Sequence, residues 1–238
     1  MTNSPQHIKS LVSQYWSERA IDFDQGPTHG ILNERQHQAW RGLLREVVGS
    51  EPVKALDVGC GTGFLAMLLG ELGHTAVGVD LADDMLAKAQ HKAATSAFDV
   101  TFCRGDAENP PRDGAPYDVI IERHVIWTLP QPQLAMQAWH ALLKPGGRVI
   151  LIEGIFDMPS HTDTIYTDIR TQLPFYGGHP SEALVACLES QGFVDMTVRP
   201  LMDAALWVEA PQRPRFMVTG TRPGGTPASI PIPSRSMS

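Results

Sequence analysis

The sequence predicts an α/β fold built on a mostly parallel sheet with helices on both faces. Three observations carry this expectation. Segments rich in Val, Ile and Leu alternate with helical patterns from Val53 onward, a glycine-rich turn joins the first such strand to a helix, and Gly146 and Gly192 stand just beyond later helix ends.

In order, strands are expected at Val53 to Val58, Thr75 to Asp80, Val100 to Arg104, Tyr117 to Glu122, Arg148 to Glu153, Phe193 to Arg199 and Arg215 to Gly220. Helices are expected between them at Gly63 to Leu72, Asp83 to Ala94, Pro132 to Leu143 and Ser181 to Gln191, with Pro132 suited to a first helical position. Two more, about Pro5 to Ala20 and Asn33 to Val48, precede the first strand. Residues 155–180 form an insert with a Gly177-Gly178 pair and a weak helical pattern around His161 to Gln172. The tail after Thr221 is rich in Gly, Pro and Ser and reads as disordered.

Composition excludes several classes. The 238 residues carry a net charge of -7 with 42% hydrophobic and 19% charged residues, an ordinary globular profile without the basic footprint that binding phosphates requires. No nucleic-acid partner is expected. The N-terminus lacks the apolar stretch of a signal peptide, and no run approaches the roughly 18 apolar residues of a membrane span, so no membrane partner is expected. Cys60, Cys103 and Cys187 show no CxxC spacing, and the odd count fits a reducing, cytoplasmic setting. His161-Thr162-Asp163 does not offer three well-spaced ligands, so no metal is expected.

The chemistry starts at the glycine turn. Gly59, Gly61 and Gly63 follow Leu56-Asp57-Val58 and open a helix, so backbone N–H groups can face a closely approaching ligand. Asp80 stands at the end of the next strand, where a carboxylate can accept hydrogen bonds from two ribose hydroxyls; its other reading is a helix cap, a task for which Asp83 is better placed. A nicotinamide dinucleotide site would need glycine where Phe64 stands, and a P-loop would need a GK[ST] run that does not follow.

Leu56-Asp57-Val58-Gly59-Cys60-Gly61-Thr62-Gly63 resembles the first motif of the class I S-adenosylmethionine-dependent methyltransferases. Asp80-Leu81 with Met85 resembles their second motif, Gly105-Asp106-Ala107 their adenine-side loop, and Leu143 to Gly147 their turn into the fifth strand. The run Arg123 to Pro130 resembles a segment of small-molecule relatives close to the quinone-pathway enzymes, and Tyr15 to Ala20 resembles their N-terminal lid.

The resemblance implies a Rossmann-like, seven-stranded, mostly parallel sheet with an antiparallel last strand. It implies one domain over residues 1–222, with residues 1–50 as a helical lid, 155–180 as a substrate cover and 223–238 as a tail. It implies S-adenosylmethionine as cofactor, with Asp57, Gly59, Gly61 and Gly63 around the methionine part, Asp80, Leu81 and Met85 at the ribose side, Asp106 and Ala107 at the adenine, and Tyr15, Arg19 and Arg123 as further contacts.

Polar residues at the carboxyl end of the fourth strand suggest where an acceptor would sit. His124 titrates near neutrality when unperturbed and is the candidate general base; its alternative is a structural hydrogen bond. Trp127 is a candidate for packing on the substrate or near the sulfonium, with plain core packing as its alternative. Glu122 and Arg123 are a candidate internal ion pair. Leu11, Tyr15 and Arg19 share a helix face, which serves helix docking as well as ligand contact. Trp16, His29, Tyr176 and His179 complete the substrate candidates. Asn109-Pro110-Pro111 lies one strand too early for a base-recognition motif and reads as a loop. The expected activity is methyl transfer to nitrogen or oxygen of a small metabolite, with C- or S-transfer, or binding without transfer, as alternatives.

Overall fold

The computed structural model describes residues 3–156 and 164–224. The elements in order are α1 (Pro5–Arg19), α2 (Glu34–Val48), β1 (Lys54–Val58), α3 (Phe64–Glu71), β2 (Thr75–Asp80), α4 (Asp83–Ala94), β3 (Val100–Arg104), β4 (Tyr117–Arg123), α5 (Pro132–Leu142), β5 (Leu143–Gly154), α6 (Thr164–Ile169), α7 (Ser181–Ser190), β6 (Val194–Pro200), α8 (Ala204–Trp207) and β7 (Arg215–Thr221). Residues 225–238 of the expected tail and the His161-Thr162-Asp163 run lie outside the described residues.

The strands form one sheet in the order β3-β2-β1-β4-β5-β7-β6, with β7 antiparallel to both neighbours and the other pairings parallel. This is the Rossmann-like sheet the resemblance implies. Order reverses between β1 and β4, so the loops after these two strands part in opposite directions and leave a crevice at their carboxyl ends.

Continuous apolar runs along β4 and β5 follow from burial on both faces. Ile120, Val149 and Leu151 join the core under α1, α5 and α7, with Trp139, Ile8 and Leu188. The intervening Val119, Ile121, Ile150 and Ile152 join the core under α2 and α3, with Trp40, Leu44 and Leu69. The period of two along each strand thus divides the interior into two layers.

Local signals set the helix starts. Ser4 and Asn33 accept the N–H of His7 and Gln36 as N-caps of α1 and α2. α8 escapes sequence reading because its four residues are shorter than any helical repeat, yet it is fixed from outside: the Trp40 indole N–H donates to Leu206 O at 2.8 Å. β5 begins at Leu143, earlier than expected, because Leu143 already pairs with Tyr117 before a register shift.

Trp40 is fully buried, packing edge-on against Phe64 and Trp207. Trp40→Ala is expected to lower the free energy of unfolding by about 3–5 kcal/mol, read from urea titration followed by circular dichroism.

Candidate active site

The turn after β1 is shaped by close approaches that only glycine permits. Gly59 has φ of 63°, and a Cβ there would stand 2.4 Å from Val125 Cγ2; Gly63 has φ of 87°, and its Cβ would stand 2.7 Å from Phe102 Cζ. Asp57 lies beneath the turn, buried, with Oδ2 accepting Ala66 N–H at 2.9 Å in the first turn of α3. Burial pushes its pKa up to about 7 against that hydrogen bond.

Asp80 ties the turn to the next helix. Its Oδ2 accepts Gly61 N–H and its Oδ1 accepts Ala82 N–H, both at 2.8 Å. Burial raises its pKa, opposed by these N–H donors. Each oxygen keeps a second lone pair for a ligand hydroxyl. The cap expected of Asp83 is not made: Ala82 is the N-cap of α4, and Asp83, already inside the helix, pairs with Arg104 at 3.2 Å.

The N-terminal segment closes over this turn. Ser13 Oγ donates to Leu81 O at 2.8 Å. Lys9 Nζ reaches Asp106 Oδ2 at 2.7 Å and Glu108 Oε2 at 2.5 Å, and the two carboxylates outweigh the effect of burial and raise its pKa. Asp24 accepts the Thr62 hydroxyl at 2.5 Å and pairs with Lys92 at 2.7 Å. Arg123 donates to Thr28 O at 3.2 Å and His29 O at 2.7 Å, with its guanidinium 3.7 Å from the centre of the Phe64 ring. Burial lowers the Arg123 pKa to about 10, which leaves it charged at neutrality.

An ion pair between Glu122 and Arg123 does not form, because neighbouring strand residues point to opposite faces. Arg123 lies over the ring of Phe64, whereas Glu122 turns to Val125 N–H at 2.9 Å and to Glu153. His124 follows with φ of 62°, its ring stacked on Trp207 at 5.7 Å and edge-on to Phe156 at 4.9 Å. Burial, with Arg123 and Arg215 adding repulsion, holds its pKa well below the ordinary value. Titration near neutrality therefore does not hold for His124; it is a neutral imidazole, and its Nε2 is buried without a hydrogen-bond partner among the described residues.

One cleft, about 1130 Å3 including its mouth, runs along the carboxyl ends of the strands. Its walls hold Gly59, Gly61, Asp80, Leu81, Met85, Asp106, Ala107 and Arg123 together with Trp16, His29, His124 and Trp127. Asp57, Gly63, Tyr15, Arg19, Tyr176 and His179 are not on those walls.

Their surroundings explain the separation. Asp57 faces the first turn of α3, and Tyr15 packs edge-on against Tyr166 at 4.7 Å with the Arg19 guanidinium 3.5 Å from its ring centre, which is the helix-docking arrangement. Tyr176 stands behind Trp127 at 6.0 Å, and His179 is edge-on to Phe175 at 5.0 Å. Sequence reasoning missed Lys9, Ser13, Phe23 and Phe156 on the walls. Only Phe23 carried a signal, as an aromatic beside the chosen His29, on which its ring stacks at 4.3 Å. Burial and Arg123 lower the His29 pKa to about 4. Among the described residues, no His, Cys, Asp and Glu group of three or more could hold a metal ion, and no helix is long and apolar enough to cross a membrane.

Residues 56–151 match the Methyltransferase domain family, Methyltransf_11. The demethylmenaquinone methyltransferase of Staphylococcus aureus is 31% identical over 130 residues, covering 52% of this chain and 53% of that protein. The chain thus spans about half the length of the curated relatives it matches. The Burkholderia thailandensis 1,6-didemethyltoxoflavin-N1-methyltransferase, solved with 1,6-didemethyltoxoflavin and S-adenosylhomocysteine, superposes with a TM-score of 0.68 at 16% identity, covering 94% of this chain and 92% of that one. The [4+2]-cyclase SpnF superposes equally well, with a TM-score of 0.68 at 18% identity, covering 94% and 98%.

The Lys9 bridge is mostly buried, so its loss leaves Glu108 without its cation. Lys9→Met is expected to speed amide hydrogen exchange across residues 5–19 about tenfold or more, the equivalent of at least ~1.4 kcal/mol of local stability, with β1 and β4 unaffected.

Proposed function

Taking as premise that this chain carries the fold and the central segment of the class I S-adenosylmethionine-dependent methyltransferases, we propose that it binds S-adenosylmethionine and methylates nitrogen or oxygen of a small, partly apolar metabolite. One observation carries this reading: one cleft is lined by Asp106, Asp80, Gly59 and Gly61 together with the aromatic side chains of Trp16, Phe23, Trp127 and Phe156.

The residues present fit the cofactor. Asp80, with free lone pairs at the end of β2, takes the ribose hydroxyls; Asp106 and Ala107 meet the adenine, beside the apolar Leu81 and Met85. Arg123 is a cation on the wall with guanidinium N–H groups beyond the two given to Thr28 and His29, and it receives the amino-acid carboxylate. Bound S-adenosylmethionine supplies an electrophilic methyl group on a sulfonium.

The chain contributes alignment. In-line displacement gains most from holding donor and acceptor in register, and the aromatic walls exclude water while fixing a flat acceptor. Trp127 and Trp16, 6.1 Å apart and nearly perpendicular, form two sides of that chamber. The neutral His124 ring on the cleft wall has an unpartnered, buried Nε2 that accepts the O–H or N–H of the substrate once the arriving substrate uncovers it. With a depressed pKa it orients that hydrogen, and is a weak base for removing it.

Calorimetry with S-adenosylmethionine, followed by mass detection of a one-methyl gain in a metabolite extract, tests the reading. Binding plus methylation supports it; no binding at millimolar ligand refutes it, and binding without transfer to any metabolite assigns the chain to non-methylating chemistry on the same fold. Asp80→Asn is expected to weaken cofactor binding about 10- to 100-fold, since charged acceptors contribute roughly 1.5–3 kcal/mol.

A further inference from the structure

Glu122 and Glu153 lie near the ends of β4 and β5 on the same face of the sheet, two residues beyond Ile120 and Leu151 of the layer under α1 and α5. Their exposures are 0% and 2%. Glu122 Oε2 accepts Val125 N–H at 2.9 Å, and Glu153 Oε1 accepts Ile126 N–H at 3.0 Å. These bonds hold two consecutive N–H groups in the middle of a tight turn that begins at His124 with its left-handed backbone and delivers Trp127 to the cleft wall.

Glu122 Oε1 is buried with no donor among the described residues, and the Glu153 carboxyl is its buried neighbour on the same face of the adjacent strand, the two side chains accepting the consecutive N–H groups of Val125 and Ile126. Two adjacent buried carboxylates cannot both be ionised, and a buried acceptor without a donor is costly. A proton between them answers both problems.

We propose that Glu122 and Glu153 share one proton, and that the protonated pair is a positioning device holding His124 and Trp127 at the floor of the acceptor chamber. The proposal rests on the cofactor-binding reading only through one of its assays.

The charges around the pair agree with this arrangement. Asp57 on β1 adds its negative charge to the field at Glu122. Arg123 is engaged over Phe64 on the opposite face, and Arg215 at the head of β7 is occupied by Ile155 O and the Phe156 ring. His124 is neutral, and Tyr166 of α6 packs behind Trp127 at 5.1 Å. Burial first, and mutual repulsion second, raise the pKa of Glu122; burial raises that of Glu153 against the N–H groups it accepts.

The sign follows directly. A carboxyl whose pKa is raised by folding keeps a proton that the unfolded chain has lost, so the turn is most stable at low pH and loosens as pH climbs through the raised value.

Infrared titration of the full chain tests the proton itself. Wild type is expected to show a protonated-carboxyl band at neutral pH that fades in alkali, with part of that band missing from the Glu122→Gln/Glu153→Gln variant. S-adenosylhomocysteine affinity, measured by calorimetry from about pH 6 to about pH 10, tests positioning: wild type weakens about tenfold per unit above the raised pKa, whereas Glu153→Gln, whose amide replaces the proton, stays flat. Identical neutral-pH bands in wild type and double variant, or parallel slopes for wild type and Glu153→Gln, would overturn the proposal. Failure of all binding would instead refute the cofactor reading and leave the infrared result to decide.

Discussion

The carboxylate of Asp80 joins the turn after β1 to the start of α4, just beyond the point where β1–β2 pairing and the Cys60 N–H to Val79 O bond end. One oxygen takes Gly61 N–H from the turn after β1, the other takes Ala82 N–H ahead of α4. Both stretches leave the sheet at the crevice made by the strand-order reversal, where parallel strands end and cannot satisfy their neighbours. The N-terminal segment then builds on this junction: Ser13 reaches Leu81 O, and Asp24 reaches Thr62 inside the turn. Moving Asp80 would therefore disturb the turn, the start of α4 and the seat of the N-terminal segment together.

The cleft combines two kinds of lining with different physics. Around Asp80 and Asp106, charge and backbone N–H groups suit a polar, ribose-bearing ligand. Around Trp16, Trp127 and Phe156, ring edges and faces dominate, and the two imidazoles present, His29 and His124, are both kept neutral by burial and by Arg123. Such a chamber favours shape and stacking over charge in selecting an acceptor. In the proposed reading His124 acts by orientation, a smaller role than a freely titrating histidine would have.

What was legible in the sequence was local. Gly59, Gly61 and Asp80 could be read because a strand, a turn and the next strand end lie within a few tens of residues, and strand boundaries followed from apolar runs buried on both faces. What was illegible was made by contacts between distant segments. Lys9 meets Asp106 across 97 positions, and the Glu122 and Glu153 carboxyls come together only when β4 and β5 pair. Asp83 had the residue type of a cap but sat one position inside the helix. Tyr15 and Arg19 matched a lid motif; Tyr15 packs edge-on to Tyr166, with the Arg19 guanidinium over its ring, and neither lies on the cleft walls.

The central claim is that one ligand spans the cleft with its ribose on Asp80 and its reactive sulfur toward the aromatic chamber. A crystal structure with S-adenosylhomocysteine bound tests this most directly. The account expects both ribose hydroxyls within hydrogen-bond distance of the Asp80 carboxylate and the sulfur facing the His124 and Trp127 side. A ribose placed away from Asp80, or a sulfur turned from that chamber, would contradict it.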